Sequence, residues 1–96
     1  MYIRITTGRY DTSREDEVRT MVEATVLSAA RQLPGFKSYT GGLDRNARRV
    51  VAITTWETDE QAQGFRDKLG SDILKQIQDL GVQLDESQVF ETVIEA

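Results

Sequence analysis

The run from Arg49 to Glu57 carries apolar or small residues on both of its alternating faces. Val51, Ile53 and Thr55 stand on one side; Val50, Ala52, Thr54 and Trp56 stand on the other. β-Branched residues dominate, which predicts a strand, and the absence of charge between Val50 and Trp56 predicts that neither face is open to water. Tyr2 to Thr7 alternates Ile3 and Ile5 with Arg4 and Thr6 and predicts a further strand. Thr12 and Glu15 have capping-box spacing. Val18, Met21, Val22, Val26, Ala29, Ala30 and Leu33 then recur at helical spacing until Pro34-Gly35 stops the helix. Phe36 to Leu43 alternates loosely, with Gly41-Gly42 hinting at a bulge or a close backbone approach, and the residues from Asp44 to Arg48 read as a hairpin turn. Thr58 and Gln61 repeat the capping box ahead of a helix through Ala62, Phe65 and Leu69 that Gly70 closes. Ser71 reads as the cap of a short helix carrying Ile73, Leu74, Ile77 and Leu80, with Gly81 as its stop, and Gln88 to Ile94 alternates as a final strand.

The order is β-α-β-β-α-β with the second helix broken in two. It predicts a single α+β domain over residues 1–96 of ferredoxin-like plan, a four-stranded antiparallel sheet with helices on one face. The Arg49–Glu57 strand is central in that plan, so one face meets the helices while the other needs a cover. No segment is left to supply it, and the simplest cover is the sheet of a second copy in an isologous homodimer. The alternative is that Ala52 and Thr54 are tolerated at the surface.

Ninety-six residues at 39% hydrophobic content suit one domain and leave no room for a second core. Twelve Lys and Arg against sixteen Asp and Glu give a net charge of -4, which disfavours nucleic acid and anionic membranes as partners. An RNA-recognition module shares the element order, but Val, Ile and Thr stand where its third strand needs stacking aromatics, leaving only Trp56. The chain has neither Cys nor His, which removes a thiolate nucleophile, a disulfide framework, the commonest general base and the usual haem ligand. Glu15-Asp16-Glu17 complements a helix N-terminus; consecutive helix positions diverge too far to make a metal site. The first residues hold no apolar stretch of signal-peptide length, and nothing approaches the ~20 apolar residues of a membrane span, so the expected location is cytoplasmic.

The stretches "LPGFKSYTGGLD", "RRVVAITTWETDEQAQGF" and "SDILKQI" together resemble the antibiotic biosynthesis monooxygenase-like family of dimeric α+β barrel proteins, over nearly the whole chain. The resemblance implies a barrel formed sheet to sheet by two copies. It also implies one of several activities. The haem-degrading branch requires a histidine ligand, an Asn in the first strand and a Trp in the second helix. Here Thr6 and Thr7, Phe65 and Arg66, and Gln76 and Gln78 occupy the corresponding regions, so that activity is not expected. The cofactor-free branch needs only a dry pocket and donors that stabilise the anion of an anthrone- or quinol-type substrate, with no metal and no cofactor. Tyr39, Trp56, Phe65, Arg4, Thr6 and Thr7 are the candidate ligand-binding residues; no catalytic residue is singled out. The alternative function is a non-catalytic ligand-binding or stress-response dimer.

Each candidate also has a packing role. Trp56 suits a core or interface, Phe65 the apolar stripe of its helix, and Tyr39 a strand with its hydroxyl at a rim. Arg4 is expected to pair with Glu91 or Glu95 of the final strand. Arg45, Arg48 and Arg49 read as a solvated hairpin tip. The phase of the first strand decides whether Thr6 or Thr7 faces a pocket.

Overall fold

The computed structural model describes residues 1–96. Its sheet runs β2 (Phe36–Asp44), β3 (Arg49–Trp56), β1 (Tyr2–Arg9), β4 (Gln83–Glu91), and every neighbouring pair is antiparallel. Helices α1 (Glu15–Met21) and α2 (Leu27–Arg31) are joined through a π-helical stretch, Val22–Val26; α3 (Asp59–Leu69) and α4 (Ser71–Asp79) follow β3. The expected ferredoxin-like α+β order is what the chain adopts.

Register assigns the faces, because residues directly opposite in a ladder point the same way. Arg4 lies opposite Thr54 and Val89, and Thr6 opposite Ala52 and Ser87. Thr54 and Trp56 are buried in the core with Val18, Val26, Ala30, Ala62, Phe65 and Ile77 of the helices. The Arg4–Thr6 face of β1 therefore meets the helices, while Ile3 and Ile5, paired with Thr55 and Ile53, lie on the open face. The more apolar side of β1 is the one that the protein's own helices leave uncovered.

Two bulges set the phase of the edge strands. The β2–β3 register shifts between Phe36 and Ser38, which brings Phe36 and Tyr39 to the same face although three positions separate them. The β1–β4 register shifts beside Thr7 and Gly8, so Leu84 opposes Gly8 and Glu86 opposes Thr7. Asp85 is the extra residue, and its carboxylate takes the Nε and Nη2 of Arg9 at 3.1 and 2.9 Å.

Several local expectations need correction. Asp11, not Thr12, caps the first helical segment: it accepts from the Ser13 N–H and a short 3₁₀ turn, Thr12–Arg14, precedes α1. Ser71 is the first residue of α4, and the cap position is Gly70, which makes no side-chain bond. Gly41 and Gly42 carry no bulge, and the ladder runs through them without interruption. The last strand is Gln83–Glu91 instead of Gln88–Ile94. By contrast, the Thr58 cap forms both reciprocal bonds with Gln61, at 3.1 and 3.2 Å, and Gly81 ends α4 at φ 83. No helix is long and apolar enough to cross a membrane.

Candidate functional site

A cavity of about 90 Å³ lies between the helices and the sheet. Its sheet wall includes Arg4, Thr6, Tyr39, Val50 and Ala52; its helical wall includes Val18, Val22, Val26, Phe65 and Arg66. The π-helical stretch supplies Val22 and Val26 without any Gly or Pro. Its widened turn is a backbone irregularity that recurs at functional sites. Tyr39, Val50, Val18 and Val22 also border an adjoining groove of about 460 Å³ that continues past Gly41, Gly42 and Leu43. A Cβ on Gly41 would make ordinary contact with the Tyr39 ring, at 3.7 Å, and with the Val51 carbonyl oxygen, at 4.0 Å, so the backbone does not force a glycine here.

Four of the six candidates come together here: Arg4, Thr6, Tyr39 and Phe65 line one cavity. Thr7 does not. It opposes Val51 on the open face and borders a shallow depression with Gly42 and Asp44. Trp56 does not line the cavity either. It is 1% exposed, its ring centroid lies 5.0 Å from Phe65 and 5.6 Å from Phe36, and its indole N–H donates to the Thr54 hydroxyl at 2.9 Å. It supports Phe65 from behind. Helical periodicity marked Val22 and Val26 as inward-facing but not as a site wall, and it gave no signal for Arg66 as a lining residue.

Arg4 departs furthest from expectation. It makes no pair with Glu91 or Glu95; Nη1 instead donates to the carbonyls of Ala62 and Gln63 on α3, at 3.0 and 3.1 Å. The residue is 8% exposed. Burial, and after it the like charge of Arg66, pull the guanidinium below its ordinary value, while Asp67 acts in the opposite direction. Tyr39 is shifted too: burial alone pushes its phenol up, which leaves the hydroxyl protonated and available as a donor. Thr6 and Ser87 share a hydrogen bond of 2.8 Å at the β4 side of the cavity.

The ionisable groups in this lining are Arg4, Tyr39 and Arg66, two cations and a phenol held neutral. The site can stabilise an anion in apolar surroundings. It contains no carboxylate or imidazole to remove a proton at neutral pH.

Neither a protein-family model nor a curated protein sequence matches the chain. Solved structures do. A candidate antibiotic biosynthesis monooxygenase from Deinococcus radiodurans superposes with TM-score 0.75 at 16% identity, covering 100% of this chain and 96% of that one. A variant of SnoaB, a cofactor-independent oxygenase from Streptomyces nogalater, superposes with TM-score 0.71 at 18% identity over 98% of this chain and 94% of its own. The fold is that of the antibiotic biosynthesis monooxygenase structures. HapK from Hahella chejuensis shares it at TM-score 0.74 and 13% identity, covering 100% of this chain and 96% of that chain. At such identities the likeness is one of fold, and chemistry must be argued from the site.

Proposed function

We propose that the protein is a monooxygenase-like enzyme that oxygenates an acidic aromatic of anthrone or quinol type without a cofactor. The observation that carries this reading is the cavity: apolar walls, an opening past Tyr39 to a wider groove, and, in the cavity's own lining, ionisable groups (Arg4, Arg66 and Tyr39) that favour an anion. An electron-rich carbanion or phenolate passes an electron to O₂ itself. Radical recombination then gives a hydroperoxide, and loss of water leaves the quinone, so one oxygen atom is retained and the other leaves as water. The chain's task in such a reaction is to exclude solvent, orient the ring and stabilise the substrate anion with Arg4, Arg66 and the Tyr39 hydroxyl. The similarity in fold to a cofactor-independent oxygenase supports this reading.

We also propose that two copies pack sheet to sheet. Ile3, Ile5, Val51 and Ile53 share the open face, each half-buried within a single copy, and Phe90 of β4 is 43% exposed opposite Ile3. An apolar centre of this kind on an antiparallel sheet calls for a cover. A second copy supplies one with matching shape and symmetry.

A second reading, a non-catalytic ligand-binding dimer, is favoured by one observation: the cavity holds no base. Oxygen uptake by the purified protein against a panel of anthrones and hydroquinones, with heat-denatured protein as control, separates the two. Uptake above control that falls in Tyr39→Phe supports the enzyme. Binding of the same compounds without uptake supports the second reading.

A further inference from the structure

The molecule contains four arginines whose side chains are held by specific partners from other elements, and they are used differently: Arg14 donates through Nη1 to the Asp79 carbonyl at 2.9 Å and through Nη2 to Glu17 at 3.1 Å. Arg9 presents its Nε and Nη2 to the two oxygens of Asp85 at 3.1 and 2.9 Å, and Arg45 presents the same edge to Glu15 at 2.9 Å for both contacts. A planar carboxylate fits that edge with two parallel hydrogen bonds. Arg4 is the fourth. Its Nη1 is anchored on the Ala62 and Gln63 carbonyls, which leaves the Nε and Nη2 edge without a partner in the protein.

That edge is not sealed inside packing. Arg4 is 8% exposed overall, yet the only buried side-chain polar atom wholly cut off without a partner is the Thr92 hydroxyl, so the free Arg4 nitrogens keep accessible surface. The cavity that Arg4 lines has no acidic side chain to satisfy them. Nine-tenths of this residue is buried and its best carboxylate-binding edge is vacant, fixed in direction by two bonds to a helix. A buried cation bonded to two carbonyls but to no carboxylate keeps part of its desolvation cost, which a bound anion would offset.

We propose that the ligand carries a carboxylate on an apolar, ring-bearing body, and that Arg4 reads the carboxylate through its Nε and Nη2 while the body extends past Tyr39 into the groove. This rests on the reading of the cavity as the ligand site. The dimensions agree with that division of labour: about 90 Å³ receives the head, and about 460 Å³ bounded by Val18, Val22 and Tyr39 is available to the rings. Arg66, an exposed residue of the same lining, attracts the anion and contributes less to the bound state than the buried fork.

A matched pair of probes tests this: naphthalene-2-carboxylate and the neutral naphthalene-2-carboxamide, titrated calorimetrically into the wild-type protein, Arg66→Gln and Arg4→Met. The expected result is binding of both, with the carboxylate favoured about tenfold or more. The preference vanishes in Arg4→Met and is reduced in Arg66→Gln. Should Arg4→Met not fold, the Arg4 Nε–H resonance of the ¹⁵N-labelled wild type replaces it, and is expected to shift with the carboxylate and not with the amide. Equal binding of the two probes by the wild type overturns the carboxylate inference and leaves the cavity as the site. Binding of neither overturns both. A preference that survives Arg4→Met, or an unmoved Nε–H at saturation, shows that the anion sits elsewhere.

Discussion

Trp56 and Thr54 share one face of β3, and the indole N–H of the first donates to the hydroxyl of the second at 2.9 Å where exposures are 1% and 2%. A sealed indole needs that acceptor. Thr54→Val keeps the shape of the side chain and orphans the N–H, so it is expected to lower unfolding free energy by about 1–3 kcal/mol in urea titrations. In a Trp56→Phe background the same change costs less, giving a non-zero coupling in the double-mutant cycle. Additive effects would show that the bond contributes nothing net.

Gly35 sits at φ 79, where a Cβ would collide with the Gln61 carboxamide. That carboxamide closes the α3 capping box, so backbone strain and loss of the cap arise together. Gly35→Ala is expected to destabilise by about 2–4 kcal/mol, more than Gln61→Ala, which removes only half of the reciprocal cap. Thermal unfolding of the two variants side by side checks the order.

Ile53 stands at the centre of the open face, between Ile5 and Thr40. Light scattering on an eluting column is expected to give about twice 10.9 kDa for the wild type and 10.9 kDa for Ile53→Asp, with helix and strand content retained. A wild-type monomer at high concentration would remove the sheet-to-sheet proposal.

Ala52 lines the cavity beside Thr6 and opposite Gly41. Ala52→Phe introduces a ring into this space and is expected to abolish binding of the naphthalene probes, at a stability cost of no more than about 1–3 kcal/mol. Undiminished binding would place the ligand outside the cavity.

Three carboxyls are held below their ordinary range: Asp11 by the Ser13 hydroxyl and N–H, Glu15 by the Arg45 fork, and Asp85 by the Arg9 fork. A folded pKa lower than the unfolded one means that the unfolded chain takes up protons first. Their contribution is complete above the ordinary carboxylate range and is lost as pH falls through it towards the folded values. Urea midpoints are therefore expected to decline between neutral pH and about pH 3, and Glu15→Gln to flatten that decline. A parallel pH profile for wild type and Glu15→Gln would contradict the assignment of Glu15.

Much of this architecture is local and was legible along the chain. Pro34-Gly35, the Thr58–Gln61 cap and Gly81 act through bonds within a few residues, so their spacing fixes where helices begin and end. The two-sided β3 run marked a central strand because its alternation lacks a charged half. The sequence also supplied Arg4, Thr6, Tyr39 and Phe65 as residue types able to line a pocket, and it excluded histidine and thiolate chemistry by composition.

Facing was decided by the tertiary structure. A single extra residue in a strand reverses the side to which all later side chains point, and no local pattern records it. The shift after Phe36 turns Tyr39 inward, and the extra residue Asp85 lets Leu84 and Val89 face the same way, which blurs the alternation that would have marked the start of β4 at Gln83. On β1 the apolar residues Ile3 and Ile5 point away from the helices, while Arg4 turns towards them because two α3 carbonyls, 58 and 59 positions away, anchor its guanidinium. Composition and spacing determined the elements and the available chemistry of this protein; long-range hydrogen bonds and strand register determined which of those groups meet, since both depend on residues far apart in the chain.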